Sequence, residues 1–422
     1  VVYGSARPSY LKRLEPIQNQ GLRLCLGAYR TSPASSLHVE ANEMPLHIRR
    51  ELLSLQYAIR LCTDPSNPTY DFVFNHQNNR YTDNAIKPLA VRIADALHDI
   101  CPDKSSLLTK ATSAFPYWML RGPEIDLTLA SSKKGNINPI QFKNDFHDLL
   151  DHYPDSKVIY TDGSKNESGV ACASVSDNLQ IQMRLPDYAS IFTAELTAIL
   201  YTLDMIPSYN DDEFLIVCDS RSSIEAIGHY QISNPIVFEI LRKTTTLQEL
   251  GKSLVLIWCP SHCGILGNEV ADTLAKQAIS HSITDFGLPF TDFKCKILQY
   301  CRSKWQSIWD LETANKLHCI QPELGLWPYC LREKRREEIV LARCRIGHSH
   351  LTHTYLLRRE LPPMCVACFC PLTVKHILVD CIDFSLIRQQ YYNISSMKDL
   401  FMNTDPTKII YFLQAVGLFY RF

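Results

Sequence analysis

The chain has 422 residues, 46% hydrophobic and 21% charged, which fits a soluble globular protein of about three domains. No stretch is long and apolar enough to cross a bilayer as a helix, and no membrane partner is expected. The formal net charge of −1 is unevenly spread: residues 157–280 hold 8 Lys+Arg against 15 Asp+Glu, and residues 281–422 hold 18 against 13.

Val1-Val-Tyr-Gly has neither an initiator Met nor a charged-then-apolar leader, so the chain reads as a fragment of something longer. Leu11, Leu14, Ile17, Leu22 and Leu26 follow helical spacing, and Pro45 to Ile59 continues it from a proline suited to a first turn. Arg7, Lys12, Arg13, Arg23 and Arg30 could meet phosphates or simply form a solvated face. Cys62 to Asn84, rich in Asp, Asn and Pro, reads as a loop, and Ala130 to Asn138 as a linker. Sixteen Cys, scattered singly through apolar runs as at Cys172, Cys218 and Cys259, read as buried thiols in a reducing intracellular compartment.

In the middle, Lys157 to Asp162 alternates as a strand, with Gly163-Ser164 turning the chain. Gly169–Ser176 and Leu179–Leu185 follow as an antiparallel meander around Asp177-Asn178. From Ile191 to Ile206 the period becomes helical, with Phe192, Leu196, Ile199, Leu203 and Ile206 on one stripe and Glu195 at its edge. Phe214 to Cys218 is a short buried strand, Ser220 to Gly228 and Pro235 to Leu250 are helices, Leu254 to Cys259 is the last strand, and Asn268 to His281 the last helix. The order βββαβααβα predicts a mixed sheet covered on both faces. Asp162 and Asp219 then fall at carboxyl ends of two core strands, the usual position of a site in an open α/β sheet. Tyr209-Asn-Asp-Asp212 has the form of a polymerase palm signature but lies between a helix and a short strand, so it reads as a solvated loop.

Four carboxylates, Asp162, Glu195, Asp219 and Asp272, thus stand at or beside ends of core elements. A carboxylate on an apolar stripe costs several kcal/mol unless it is paired, binds metal or takes up a proton. Gathering several in an acidic domain adds like-charge repulsion, and oxygen-only ligands suit Mg²⁺ or Mn²⁺ rather than Zn²⁺. Singly, each has a plainer reading: Asp219 could cap the following helix, and Asp162-Gly163 is an ordinary turn pair.

Thr161-Asp-Gly-Ser164, Thr193-Ala-Glu-Leu196, Cys218-Asp-Ser220, Trp258-Cys-Pro-Ser-His262 and Gly267-Asn-Glu-Val-Ala-Asp272 resemble the type 1 ribonuclease H domain of non-LTR retrotransposon polyproteins of the jockey group. Tyr3 to Arg7, Gln18 to Arg23 and Gly27 to Pro33 resemble the segment after the reverse transcriptase in those elements, and Arg345-Ile-Gly-His348 onward resembles their tail. The resemblance implies an α/β, ribonuclease H-like five-stranded mixed sheet with helices on both faces, at residues 155–282. It implies mostly helical flanks at 1–135 and 283–422. It further implies two Mg²⁺ (or Mn²⁺) ions held by Asp162, Glu195, Asp219 and Asp272, a mobile His262 that assists proton transfer, and hydrolysis of the RNA strand of RNA–DNA hybrids. The upstream reverse transcriptase would be a partner. A different class stays open, a catalytically silent nucleic-acid-binding remnant whose basic tail is the working part.

That tail carries Cys365, Cys368, His376 and Cys381, spaced C-x2-C-x7-H-x4-C after Leu361-Pro-Pro363. Three thiolates and an imidazole make a tetrahedral Zn²⁺ set, giving a zinc knuckle at 361–383, with Cys370 as a competing thiol. His348, His350 and His353 read as helix and loop residues. Ile409 to Phe422 predicts a packed terminal helix.

Overall fold

In the computed structural model, which describes residues 4, 6–75, 87–101, 103–109, 116–131, 139–327 and 334–422, the chain divides into two units. One comprises Val1–Leu55, Gln77–Ile93 and Ile297–Phe422, the other Gln56–His76 and Ala94–Lys296. Tyr3 and Ser5, residues 76–84 of the expected loop and residues 132–138 of the expected linker lie outside the described residues.

The second unit is built on a six-stranded sheet. Its strands are β1 (Glu124–Asp126), β2 (Lys157–Asn166), β3 (Gly169–Ser176), β4 (Leu179–Leu185), β5 (Glu213–Cys218) and β6 (Ser253–Trp258), in the spatial order β1-β6-β5-β2-β3-β4. The ladders from β1 through β6 and β5 to β2 are parallel, and β3 and β4 continue antiparallel. Both β5 and β6 are covered on two faces, which explains their nearly unbroken apolar runs.

Among the described residues, five helices cover this sheet: α1 (Pro139–Leu150), α2 (Ile191–Met205), α3 (Arg221–Gly228), α4 (Pro235–Glu249) and α5 (Leu266–Ala278). On one face Ile159, Ile216 and Leu256 pack against Leu196 and Ile199 of α2, Ile227 of α3 and Ile240 of α4. On the other, Leu215, Val217 and Ile257 meet Phe146 of α1, and Ala173 and Val175 meet Ala271 and Ala275 of α5. Each large aliphatic side chain so buried contributes roughly 1.5–3 kcal/mol. The N-terminus of α2 is fixed by Ser190, whose hydroxyl oxygen accepts from the Thr193 N–H at 3.1 Å. Asp292 in turn accepts from the Ser190 hydroxyl at 3.0 Å and from its N–H at 3.1 Å.

The structure corrects the sequence reading of this unit at four places. The sheet has six strands, not five, because Glu124–Asp126 pairs parallel with Val255–Ile257; three residues are too short to show a period. The strand expected to end at Asp162 runs on to Asn166, with Gly163 and Ser164 inside the ladder opposite Cys172 and Ala171. Asp162 is therefore mid-strand, and the turn falls later, where Asn166 Oδ1 accepts from the N–H of Ser168 and of Gly169. Between Cys62 and Asn84, the short helix Tyr70–Phe74 interrupts the expected loop. Finally, burial of α2 extends beyond the one stripe expected, since every residue from Thr193 to Leu200, Glu195 included, is buried.

In the other unit the beginning and end of the chain fold together. Leu22 of helix Glu15–Leu26 and Leu37 of helix Ala34–Glu40 share a cluster with Ile346 of α6 (Arg335–Ile346). Glu40 and Arg345 form a buried bidentate pair, with Nε at 2.9 and 3.2 Å from the two carboxylate oxygens. The same guanidinium lies 4.4 Å from the centroid of the Trp327 ring. After α6 come α7 (His350–Arg358) and, further on, helix Pro406–Ala415, which buries Ile409, Ile410, Phe412 and Leu413. The terminal helix expected at Ile409 to Phe422 is thus packed, but it starts at Pro406 and ends at Ala415, with Gly417 at φ 70° and a 3-10 turn at Phe419–Arg421 after it.

Candidate active site

The parallel ladder between β2 and β5 ends at Thr161 opposite Cys218. One residue further along each strand stands an acid, Asp162 still paired to β3 and Asp219 just beyond β5. Glu195 of α2 comes up beside this end of the ladder, and ligand oxygens of Asp162, Glu195 and Asp219 all lie within 4.8 Å of one another. Glycine permits this approach: a Cβ on Gly163 would stand 2.9 Å from Glu195 N and 3.0 Å from Ala194 Cβ. Asp162 and Glu195 are 4% and 5% exposed, so little water shields their mutual repulsion.

The charges are correspondingly strained. Burial, then the nearby Asp219 and Asp272, push the Asp162 carboxyl up to about 8. Burial, then Asp162 and Asp219, push Glu195 well above the usual carboxylate range. Neither has a Lys or Arg ion-pair partner among the described residues, and Asp162 Oδ2 is buried with no hydrogen-bond partner. Asp272 on α5 acts on Asp162 through its charge but stands outside the close group of three, its Oδ2 held 2.6 Å from Lys276 Nζ. A crowded, largely buried, oxygen-only group with an unsatisfied atom fits a hard divalent ion.

His262 is exposed, on the loop joining β6 to α5, with φ at 58°. That loop starts beside the acids, because the Cys259 N–H donates to Cys218 O at 3.2 Å and Trp258 Nε1 donates to Asp219 O at 3.0 Å. Sequence reasoning passed over two supports. Cys218 Sγ, 3.7 Å from Glu195 Oε2, is placed to donate to it and accepts from the Ser220 N–H at 3.3 Å. Asp292, which steadies the start of α2, is 102 positions from Ser190, so no local pattern could have found it.

In the tail, Cys365, Cys368, His376 and Cys381 also bring ligand atoms within 4.8 Å of one another. Cys365 and Cys368 lie on a tight loop closed by Cys365 N–H to Cys370 O at 2.8 Å and Phe369 N–H to Cys365 O at 2.9 Å. Cys381 Sγ is 3.9 Å from both Cys365 Sγ and Cys368 Sγ. Zn–S bonds of about 2.3 Å at tetrahedral angles would set sulfurs roughly 3.8 Å apart, so these residues fit Zn²⁺. The Cys368 N–H, then the His376 ring, draw the Cys365 thiol down to about 6, toward the thiolate a metal needs. Cys370 Sγ is 3.4 Å from His376 Nδ1. His353 is buried and His350 exposed on α7.

A three-strand meander leading into parallel strands, with buried carboxylates where the central ladder divides, defines a ribonuclease H-like α/β domain with helical flanks. The family model for RNase H matches residues 154–280, and this part of the chain is an RNase H domain, a family typically dependent on divalent metal. No curated protein matches the chain.

Proposed function

We propose that residues 154–280 hydrolyse the RNA strand of RNA–DNA hybrids, with Asp162, Glu195, Asp219 and Asp272 as ligands for two Mg²⁺ or Mn²⁺ ions. The observation that carries this is the buried group Asp162, Glu195 and Asp219, with ligand oxygens within 4.8 Å and one carboxylate oxygen left without a partner. When bound, such ions would supply charge neutralisation at the scissile phosphate and an activated water. Cys218 and the backbone around Gly163 would hold the Glu195 carboxylate in place, Lys276 would orient Asp272, and His262 would carry a proton at the reacting oxygens. Helix shape and 2′-hydroxyl groups, rather than base edges, would select the substrate. The resemblance of the flanks supports a place in a jockey-group retrotransposon polyprotein. The tail residues Cys365, Cys368, His376 and Cys381 would hold one Zn²⁺.

The test is incubation of the purified chain with an end-labelled RNA–DNA hybrid, with and without Mg²⁺, beside Asp162→Asn. Mg²⁺-dependent cutting of the RNA strand, lost in the variant, is the expected result. Equal cutting by both proteins would overturn the assignment.

A further inference from the structure

A cavity of about 740 Å³ opens in the unit that holds both ends of the chain. Three elements of the tail wall it. Arg336 and Arg343 lie seven residues apart on α6 and so share a face; Tyr355 and Arg358 come from α7, and Tyr420 and Arg421 from the 3-10 turn Phe419–Arg421. Arg343 Nε donates to Gly27 O at 2.7 Å, and Arg336 donates to the carbonyls of Phe419 and Tyr420 at 3.3 and 3.2 Å. Arg343 also donates to Phe422 O at the carboxyl end of the chain, whereas Arg336 is held, among the described residues, only by neutral carbonyls and keeps its charge. Arg358 and Arg421 are exposed and have no ion-pair partner among the described residues, and Tyr420 is 84% exposed. The lining contains one acidic side chain, Glu360, and the carboxyl-terminal Phe422, against four arginines.

Cations needed only for solubility are ordinarily spread over convex helix faces, where repulsion is least. Here they converge on a concavity and crowd one another: burial, then the neighbouring Arg336, depress the Arg343 guanidinium. Arginine forks match phosphate oxygens, and an exposed tyrosine ring offers a face on which a base can stack. A duplex keeps its bases stacked inside, out of reach of such a ring, and a flat anionic membrane cannot enter a concave site. We propose that this cavity is a second nucleic-acid site that takes a single strand, with phosphates on Arg336, Arg358 and Arg421 and a base on Tyr420 or Tyr355. The proposal does not depend on the hydrolase reading.

The experiment uses the full chain and a labelled, unstructured single strand of roughly 12 nucleotides, as RNA and as DNA, with anisotropy read over a series of KCl concentrations without Mg²⁺. The parental chain should bind both strands. Arg358→Glu with Arg421→Glu should weaken binding by about tenfold or more and lower the magnitude of the salt slope by about 1.4, for two lost phosphate contacts at about 0.7 each. Tyr420→Ala should weaken it by about tenfold at unchanged slope. All three positions are exposed, so melting temperature and hybrid cleavage should stay parental. Absence of single-strand binding, parental affinity and slope in the Arg variants, or binding of phosphatidylserine–phosphatidylcholine vesicles in preference to either strand would overturn the proposal. Loss of hybrid cleavage alone, with single-strand binding intact, would count only against the carboxylate reading.

Discussion

Gly163 and Glu195 meet so closely that a Cβ on the glycine would stand 2.9 Å from the glutamate's backbone nitrogen. Since Gly163 lies within a β-ladder, an alanine there would suffer from contact rather than from backbone conformation. Gly163→Ala should force β2 and α2 apart, destabilising the fold by about 1–3 kcal/mol. Displacement of Glu195 by a fraction of an ångström should slow hybrid cleavage by about 10²-fold. Denaturant titration and single-turnover cleavage measure the two effects, and a parental rate would show that the approach of α2 does not set the geometry of the site.

A second prediction concerns pH. Because the folded chain raises the Asp162 carboxyl to about 8, it holds that proton more tightly than the unfolded chain, whose carboxyl titrates near 3.9. This contribution to stability is fully present below about pH 4 and is lost as pH rises through about 8. Without divalent metal, the melting temperature should therefore fall across that window, and Asp162→Asn should flatten the fall while abolishing cleavage. Glu195→Gln should act in the same direction, since its carboxyl is also raised, first by burial. Parallel pH profiles for parent and variants would mean that the acids are not strained as the structure has them.

Much of this site can be read in the sequence because its acids border apolar runs: Phe214 to Cys218 announces a buried strand, and Asp219 follows it. The extent of α2 is equally legible, since its apolar residues recur at helical period from Ile191 to Ile206 and the helix runs from Ile191 to Met205. What stayed hidden depends on contacts far apart in the chain. The extent of β2 past Asp162 is set by pairing with β3, not by its own Gly-Ser, which has turn character. Glu124–Asp126 is a strand only because β6 offers an open edge. Likewise, nothing near Glu40 foretells Arg345, 305 positions away.

His262 stands on an exposed loop at positive φ, so its imidazole can be removed without opening a cavity. His262→Ala should leave the melting temperature unchanged and slow turnover by about 10²-fold, the low end for a lost general acid–base group. The carboxylate variants should lose far more. Steady-state cleavage across pH separates the roles, and a loss as complete as that of Asp162→Asn would make His262 a ligand or a structural residue.

The last prediction concerns the tail. Val374, Ile377, Leu378 and Val379 are buried, but no large apolar side chain between Leu361 and Leu372 is, and Leu361, Met364, Val366 and Phe369 are all exposed, so the Cys365–Cys368 loop has little core to hold it. Metal binding would supply much of the free energy that orders it. Purified, reduced, metal-replete protein should contain one Zn²⁺ per chain by elemental analysis. A zinc-selective chelator should speed proteolysis near Cys365 while Mg²⁺-dependent cleavage of short hybrids persists, because the oxygen-only acids prefer harder ions. Cys368→Ser should lose the metal. Cys370→Ser should keep it, since the four residues with ligand atoms in mutual range do not include Cys370. Stoichiometric zinc in Cys368→Ser, or its loss in Cys370→Ser, would reassign the fourth ligand; no zinc in the parent would leave these residues as thiols beside a buried imidazole.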